Sequence, residues 1–463
     1  MSDSSAPVSD SPAPVAMTGL LAPLRHRPFR RLATGRTLNH LANAMAPIIL
    51  AFAVLDLTGS AVTLGLVVGA RSVATVLLVL FGGLLADRLP RPVILQGASA
   101  GAALAQAAVA AVLLLGSSSV PLLIVLSVLN GAMSAVSMPA TAALVPLVAP
   151  KGMLRSANAV TRMGVNLGVI VGASLGGLLA SLITPAWGMV VNAAVFACAG
   201  VAYHGIRLPS SPADPDGPEP SPARPLAELR EGWREFTART WVWVVVAQFF
   251  VVNAVTSGGI HVLGPSIADD SFGRTAWGLV LATQMLGAFV GGFVVARSRS
   301  RHMLRVGVAV IALDVLPLIA LAEAAPLALL VVAMFVNGMA IEQFGVAWDL
   351  SLQENVPPDR LARVYSYDIL GSLLALPLGE MAAGPLAERF GTRETLLGGA
   401  LLCLAATGAA LCSRQVRNLT VRPARVITQG GADDADPTAG PARAPEGERL
   451  DGRADAPDAP GTA

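Results

Sequence analysis

The chain of 463 residues is short of charge: only 13% of it is Asp, Glu, Lys or Arg, about half the share in a soluble globular domain. With 54% hydrophobic residues beside that shortage, an ordinary water-exposed surface is excluded for most of the chain. Lysine is nearly absent, Lys151 standing alone among arginines, and a net charge of +2 is too small to draw a polyanion. No basic run is interleaved with aromatics, so no nucleic-acid partner is expected. Cysteine is scarce as well. Cys198, Cys403 and Cys412 fall in apolar stretches without a CxxC neighbour and read as small core residues, so neither a metal nor a cofactor is expected. The first thirty residues turn from Ser/Pro/Ala-rich to basic (Arg25, Arg27, Arg30, Arg31) without a short apolar segment and cleavage site, and no signal peptide is expected to be removed.

What the chain has is long apolar runs. A membrane span needs roughly 20 apolar residues, and breaks at charged or Gly/Pro/Ser clusters divide the sequence into twelve such segments. The first six run Ala33 to Leu57, Val62 to Ala86, Val93 to Leu115, Pro121 to Leu144, Asn158 to Leu182 and Trp187 to Tyr203. The second six run Trp243 to Leu263, Ala276 to Ala296, Met303 to Leu321, Pro326 to Ala347, Tyr365 to Leu386 and Thr395 to Cys412. The expected fold is an all-α integral membrane protein of twelve transmembrane helices in two pseudo-symmetric six-helix bundles.

Arginine sets the expected orientation, because Arg and Lys are retained on the cytoplasmic side of short loops. Arg88 with Arg91, Lys151 with Arg155, Arg297 with Arg299 and Arg301, and Arg360 with Arg363 occupy alternate loops. Both termini are therefore expected in the cytoplasm, in a multi-pass protein of the cell membrane surrounded by lipid. The chain divides into a cytoplasmic segment (1–32), a first bundle (33–206), a linker (207–240), a second bundle (241–413) and a disordered tail (414–463). Within the linker, Pro209 to Pro225 is too polar to pack. Leu226, Leu229, Trp233 and Phe236 then recur at helical spacing, as on a helix lying in the inner headgroup region.

The halves repeat each other. Asn130-Gly131 matches Asn337-Gly338, Pro150 and Arg155 match Pro358 and Arg363, and Gly83 matches Gly292, all offset by about 208 residues. The segment GGLLADRLPR, Gly82 to Arg91, resembles the loop signature of the major facilitator superfamily, with Gly83, Asp87, Arg88 and Arg91 in register and Pro90 and Pro92 departing from it. A carboxylate at Asp87 suits a helix N-terminus, and the arginines suit an acid such as Asp368. Together they form a candidate cytoplasmic latch. Gly168, Gly172, Gly176 and Gly177 in the fifth segment resemble the glycine signature of the superfamily's antiporters, with Ala173 in place of proline. A stripe of that kind also serves ordinary close helix packing.

From Phe29 to about Ser413 the chain resembles the drug/proton antiporter branch that includes macrolide-efflux and siderophore-efflux proteins. LTGSAVTLGL (Leu57 to Leu66), NGAMSAVSMPA (Asn130 to Ala140), RVYSYDILGSLLALPLG (Arg363 to Gly379) and AGPLAERFG (Ala383 to Gly391) carry the resemblance. One departure matters. Better-known drug exporters have an arginine four residues before the fourth-helix glycine, where this chain has Ser127.

Polar groups inside a span are costly and face a cavity or a partner. Asn39, His40 and Asn43, with Arg36 on the same face of the first segment, and Asn253, Ser257 and His261 in the seventh are the candidate substrate contacts; an interhelical hydrogen bond is the alternative for each asparagine. Arg71 and Glu380, near one depth in the second and eleventh segments, are expected to form a proton-sensitive salt bridge at the outer gate, unless the pair is a static packing contact. Asp314 ranks behind them as a coupling residue.

The resemblance implies secondary active transport, not an enzyme: proton-coupled export of a small lipophilic organic compound by alternating access. The cavity is expected to be mostly Ala, Val, Leu and Met with a few amides. Movement of lysophospholipid or fatty acid, or a membrane sensor or scaffold without transport, are the other readings. A monomer is expected.

Overall fold

A computed structural model describes the chain at residues 21–116, 119–149, 153–206, 233–234, 236–297 and 300–420. Among these residues there is no strand, and twelve helices are long and apolar enough to cross a membrane. They are α1 (Arg27–Thr58), α2 (Ala61–Arg88), α3 (Arg91–Leu114), α4 (Val120–Val148), α5 (Leu154–Leu182), α6 (Pro185–Tyr203), α7 (Thr240–Asp270), α8 (Arg274–Ala296), α9 (Met303–Ala322), α10 (Leu327–Asn355), α11 (Pro358–Phe390) and α12 (Thr392–Cys412). Several extend beyond their apolar runs. A backbone already in helical register carries its polar ends to the membrane surface, so α1 begins at Arg27 and α10 reaches Asn355. With an even number of spans, the chain enters α1 and leaves α12 on one face, here the terminal face; Asp56 and Asp269 mark the far face.

The packing is pseudo-symmetric. In the first half α1 packs on α5 and α6, α2 on α4, and α3 on α4 and α6; the second half repeats this with α7 on α11 and α12, α8 on α10, and α9 on α10 and α12. The halves meet through α2 against α11 and α5 against α8. Small residues make the contact. Any side chain at Gly65 would strike the backbone of Glu380, one at Gly384 the backbone of Val62, and one at Gly177 that of Gly278. All three crossings lie toward the far-face ends of their helices. Arg274 reinforces that end: it joins Asp56 of α1, 2.9 Å from Nη1, to Asp269 of α7, 2.6 Å from Nε, and lies over the Phe52 ring. Closure is therefore on the far face.

Two spans carry an irregular turn. In α7 the residues Gly258–Leu263 form a π-helical turn just before Pro265, whose missing N–H withdraws a rung from the helical ladder. In α9 the residues Ile311–Asp314 form a 3-10 turn.

Several expectations shift. Cys403 is buried, but Cys198 and Cys412 are exposed and are not core residues. The tail begins with a short helix, α13 (Arg414–Asn418), that packs on α12. Most of the linker, including Leu226 and Leu229, lies outside the described residues. Phe236 is buried, and its ring lies 5.7 Å from those of Trp233 and Tyr367.

Candidate functional site

Between the halves lies a cavity of about 460 Å³ on the terminal side of the far-face closure. Its first-half wall starts from one face of α1, where Arg36, Asn39, His40 and Asn43 recur at helical spacing. The side chains of that face are tied in sequence: Asn43 Nδ2 donates to Asn39 Oδ1 at 2.9 Å, and Asn39 Nδ2 to Ser99 Oγ at 3.3 Å. Arg71 of α2 donates to Asn43 Oδ1 at 3.2 Å and to Asn130 Oδ1 of α4 at 3.0 Å. Ser134 adds a second donor to that Asn43 oxygen at 3.2 Å. Ten of the fourteen lining residues carry a polar side chain, and α11 supplies Leu373 and Leu376 on the other side. The wall is thus more polar than the expected mixture of Ala, Val, Leu and Met.

The second-half candidates gather elsewhere. Glu380, only 3% exposed, accepts a hydrogen bond from Ser257 Oγ at 2.8 Å, and His261 Nδ1 lies 3.6 Å from the same carboxylate oxygen. The π-helical turn of α7 carries His261 to this point. Backbones make room for the acid: Gly258 meets Gly379 where α7 crosses α11, and Gly65 meets Glu380 itself where α2 does. Arg71 and Glu380 each stand ten residues from the far-face ends of their helices, about 15 Å deep. The direct Arg71–Glu380 salt bridge expected from the sequence is not formed. Arg71 is taken up by two asparagines and Glu380 by Ser257 and His261, with the Ser72 hydroxyl also beside the carboxylate. Asn253 does not line the cavity, and among the described residues its side chain makes no hydrogen bond.

Asp314, also 3% exposed, accepts from Asn337 Nδ2 at 3.0 Å, and Asn337 Oδ1 accepts from Gln284 at 2.6 Å. This chain of three lies among α8, α9 and α10, away from the cavity. Of the latch, Gly83, Asp87 and Arg88 fall in the last turns of α2, whose side chains lie outside the described ones; Arg91 opens α3, and Asp368 accepts from Trp348 Nε1 at 2.9 Å. The glycine stripe packs on α1 rather than on the cavity: Gly168 meets the backbone at Thr37 and Leu41, Gly172 at Leu41 and Gly176 at Met45. Gly177 alone reaches the other half.

Sequence reasoning missed the residues that tie these sites together. Asn130 and Asn337 were visible as repeat markers, yet nothing in one sequence pairs them with Arg71 and Gln284. The clamp of Asp56, Arg274 and Asp269 joins side chains of three helices that no spacing in the sequence pairs, and the far-face arginines Arg389 and Arg393 lie outside the loops that set the expected orientation. Arg393 is paired with Glu323 at 2.6 Å. Among the described residues no group of His, Cys, Asp and Glu could hold a metal.

Comparison with known proteins agrees with this architecture. The multidrug efflux pump Tap of Mycolicibacterium fortuitum is 29% identical over 74% of this chain and 85% of its own length. The enterobactin exporter EntS of Escherichia coli O1:K1 is 27% identical over 54% of this chain and 55% of its own. Among solved structures, a bacterial homologue of the human lysosomal transporter Spinster, inward-facing and unoccupied, superposes with a TM-score of 0.65 at 17% identity, covering 85% of this chain and 98% of that one. The nucleoside transporter NupG superposes with a TM-score of 0.65 at 14% identity over 83% and 98%. The family model for the Major Facilitator Superfamily matches residues 32–373. With that match across two halves of six spans, the chain belongs to the Major Facilitator Superfamily and is a multi-pass membrane transporter.

Proposed function

We propose that the protein exports a small organic compound across the cell membrane by alternating access, driven by proton entry through Glu380. The observation that carries this reading is the position of that carboxylate. It is buried where α2, α7 and α11 approach backbone to backbone, at the junction that must part for the far face to open. Arginine bias makes the terminal face cytoplasmic, so the cavity faces the cytoplasm and the proton reaches Glu380 from outside as the far face opens. A protonated Glu380 loses its charge, which weakens its hold on Ser257 and His261 and shifts the balance between the two closures. The likeness to two exporters supports the direction of transport.

Everted membrane vesicles with an acid lumen test the whole reading. They should accumulate substrate and lose proton gradient when substrate is added; accumulation only in right-side-out vesicles with an inward proton gradient would make the protein an importer. Glu380→Gln should abolish gradient-driven export yet keep counterflow exchange, because the amide mimics the protonated acid. Uphill export by that variant with unchanged pH dependence would remove Glu380 from the mechanism.

A further inference from the structure

We infer that the substrate is an organic acid whose anionic group sits between Arg36 and Arg71, an inference that rests on the export reading for the cavity's role as the transport site. The lining of the cavity carries two guanidiniums and the imidazole of His40, and neither Asp nor Glu. Among the described residues Arg36 makes no hydrogen bond or ion pair; its Nε is shielded from solvent and has no partner there. Among the described residues Arg71 donates only to the neutral amide oxygens of Asn43 and Asn130. Those bonds orient the guanidinium without neutralising it. The nearby acid is committed elsewhere, since Glu380 is held by Ser257 and faces His261.

Within a membrane, two guanidiniums that touch no carboxylate are costly, and proteins retain such groups where a substrate pairs with them. A planar carboxylate, or a phosphate, matches the paired N–H groups of a guanidinium better than an amide or an alcohol does. Around this pocket of charge the geometry is amphiphilic. Asn39, Asn43 and Ser134 surround the guanidiniums on the first-half side, whereas Leu373 and Leu376 face them from α11. An acidic group at one wall with an apolar body against the other fills both. A lipophilic cation fits neither, because it would add positive charge where two arginines already stand.

Three compounds with one ring system and different charge provide the test: 2-naphthoate, 2-naphthamide and 2-naphthylmethylammonium. Binding to the full chain in lipid nanodiscs is measured by calorimetry. Naphthoate should bind at least about tenfold more tightly than the other two, the scale of one charge-assisted contact. Arg36→Gln should erase that preference and leave naphthamide binding within about twofold, while Arg36→Lys should keep part of it. Equal affinities, tighter binding of the ammonium, no measurable binding of naphthoate, or a preference unchanged in Arg36→Gln would each overturn the inference. The wild-type comparison stands even if a variant fails to fold. A naphthoate preference without export in everted vesicles would keep the anion site and overturn the export reading; export without that preference would do the reverse.

Discussion

In the first half the backbone of α2 passes so near Gly131 of α4 that any side chain there would strike the carbonyl of Arg71; in the second half the same holds for Gly338 of α10 and the carbonyl of Gln284 of α8. In both, the asparagine before the glycine accepts a hydrogen bond from the side chain at that contact, from Arg71 at 3.0 Å and from Gln284 at 2.6 Å. The third partner is where they part. Asn337 passes its own N–H to Asp314, so the second-half network ends inside the protein. The repeat offset aligns Asp314 with Gln106, yet among the described residues Asn130 Nδ2 has no partner, and Gln106 and Ser127 border a cavity of about 10 Å³ beside it. The first-half network runs the other way, through Arg71 to Asn43 and the central cavity. A duplicated frame has kept its crossing and divided its chemistry: the cation faces the transport path, and the acid is sealed away.

The strongest way to break that contrast is to exchange the donors. Arg71→Gln gives α2 the residue of α8, and transport should fall at least about tenfold, since a charged donor to Asn43 and Asn130 is worth about 1.5–3 kcal/mol more than nothing and cannot be replaced in full by an amide. Gln284→Leu should leave initial rates within about twofold in the same vesicles. Equal losses in both would show that the crossing, not the charge, matters.

A middle-sized effect is expected at the crossing glycines. Gly131→Val and Gly338→Val both force a branched side chain against a backbone carbonyl, so each should lower stability by about 1–3 kcal/mol in denaturant titrations of the purified protein. Similar costs in the two halves would support a duplicated scaffold; a cost confined to one half would mean that the other crossing tolerates separation.

Asp314→Asn sharpens the comparison by how little it should do. An amide of the same shape still accepts from Asn337, so transport and its pH profile should match the wild type, with less than about 1 kcal/mol lost in stability. A shifted pH profile would give Asp314 a part in coupling. The smallest effect belongs to Arg162→Gln, which removes a 3.7 Å pair with Glu342 whose arginine side chain is 78% exposed. A pair so exposed contributes about 0–1 kcal/mol, and neither stability nor rate should change measurably.

Much of the architecture was legible because lipid constrains a sequence so tightly. Every span must be apolar for about 20 residues and must satisfy its own backbone, so twelve segments, a repeat and an arginine pattern are readable one residue at a time. The candidate site was legible in part. Asn39, His40, Asn43, Arg71, Ser257, His261 and Glu380 stood out because polar groups in apolar runs are rare. Their pairing was not legible, since the Arg71–Glu380 bridge looked sound on depth alone, and depth does not reveal that Asn130 and Asn43 reach the guanidinium first.

The sequence by itself determined the twelve helices, the repeated residues of the two halves and the short list of polar residues, because each follows from local composition and spacing. Only the tertiary structure decided that the glycine stripe packs on α1, that Glu380 sits at a three-helix crossing, and that Arg36 and Arg71 share a cavity without a carboxylate. Those depend on which helix lies beside which and how each is rotated, and that is set by contacts between residues hundreds of positions apart, which no single segment encodes.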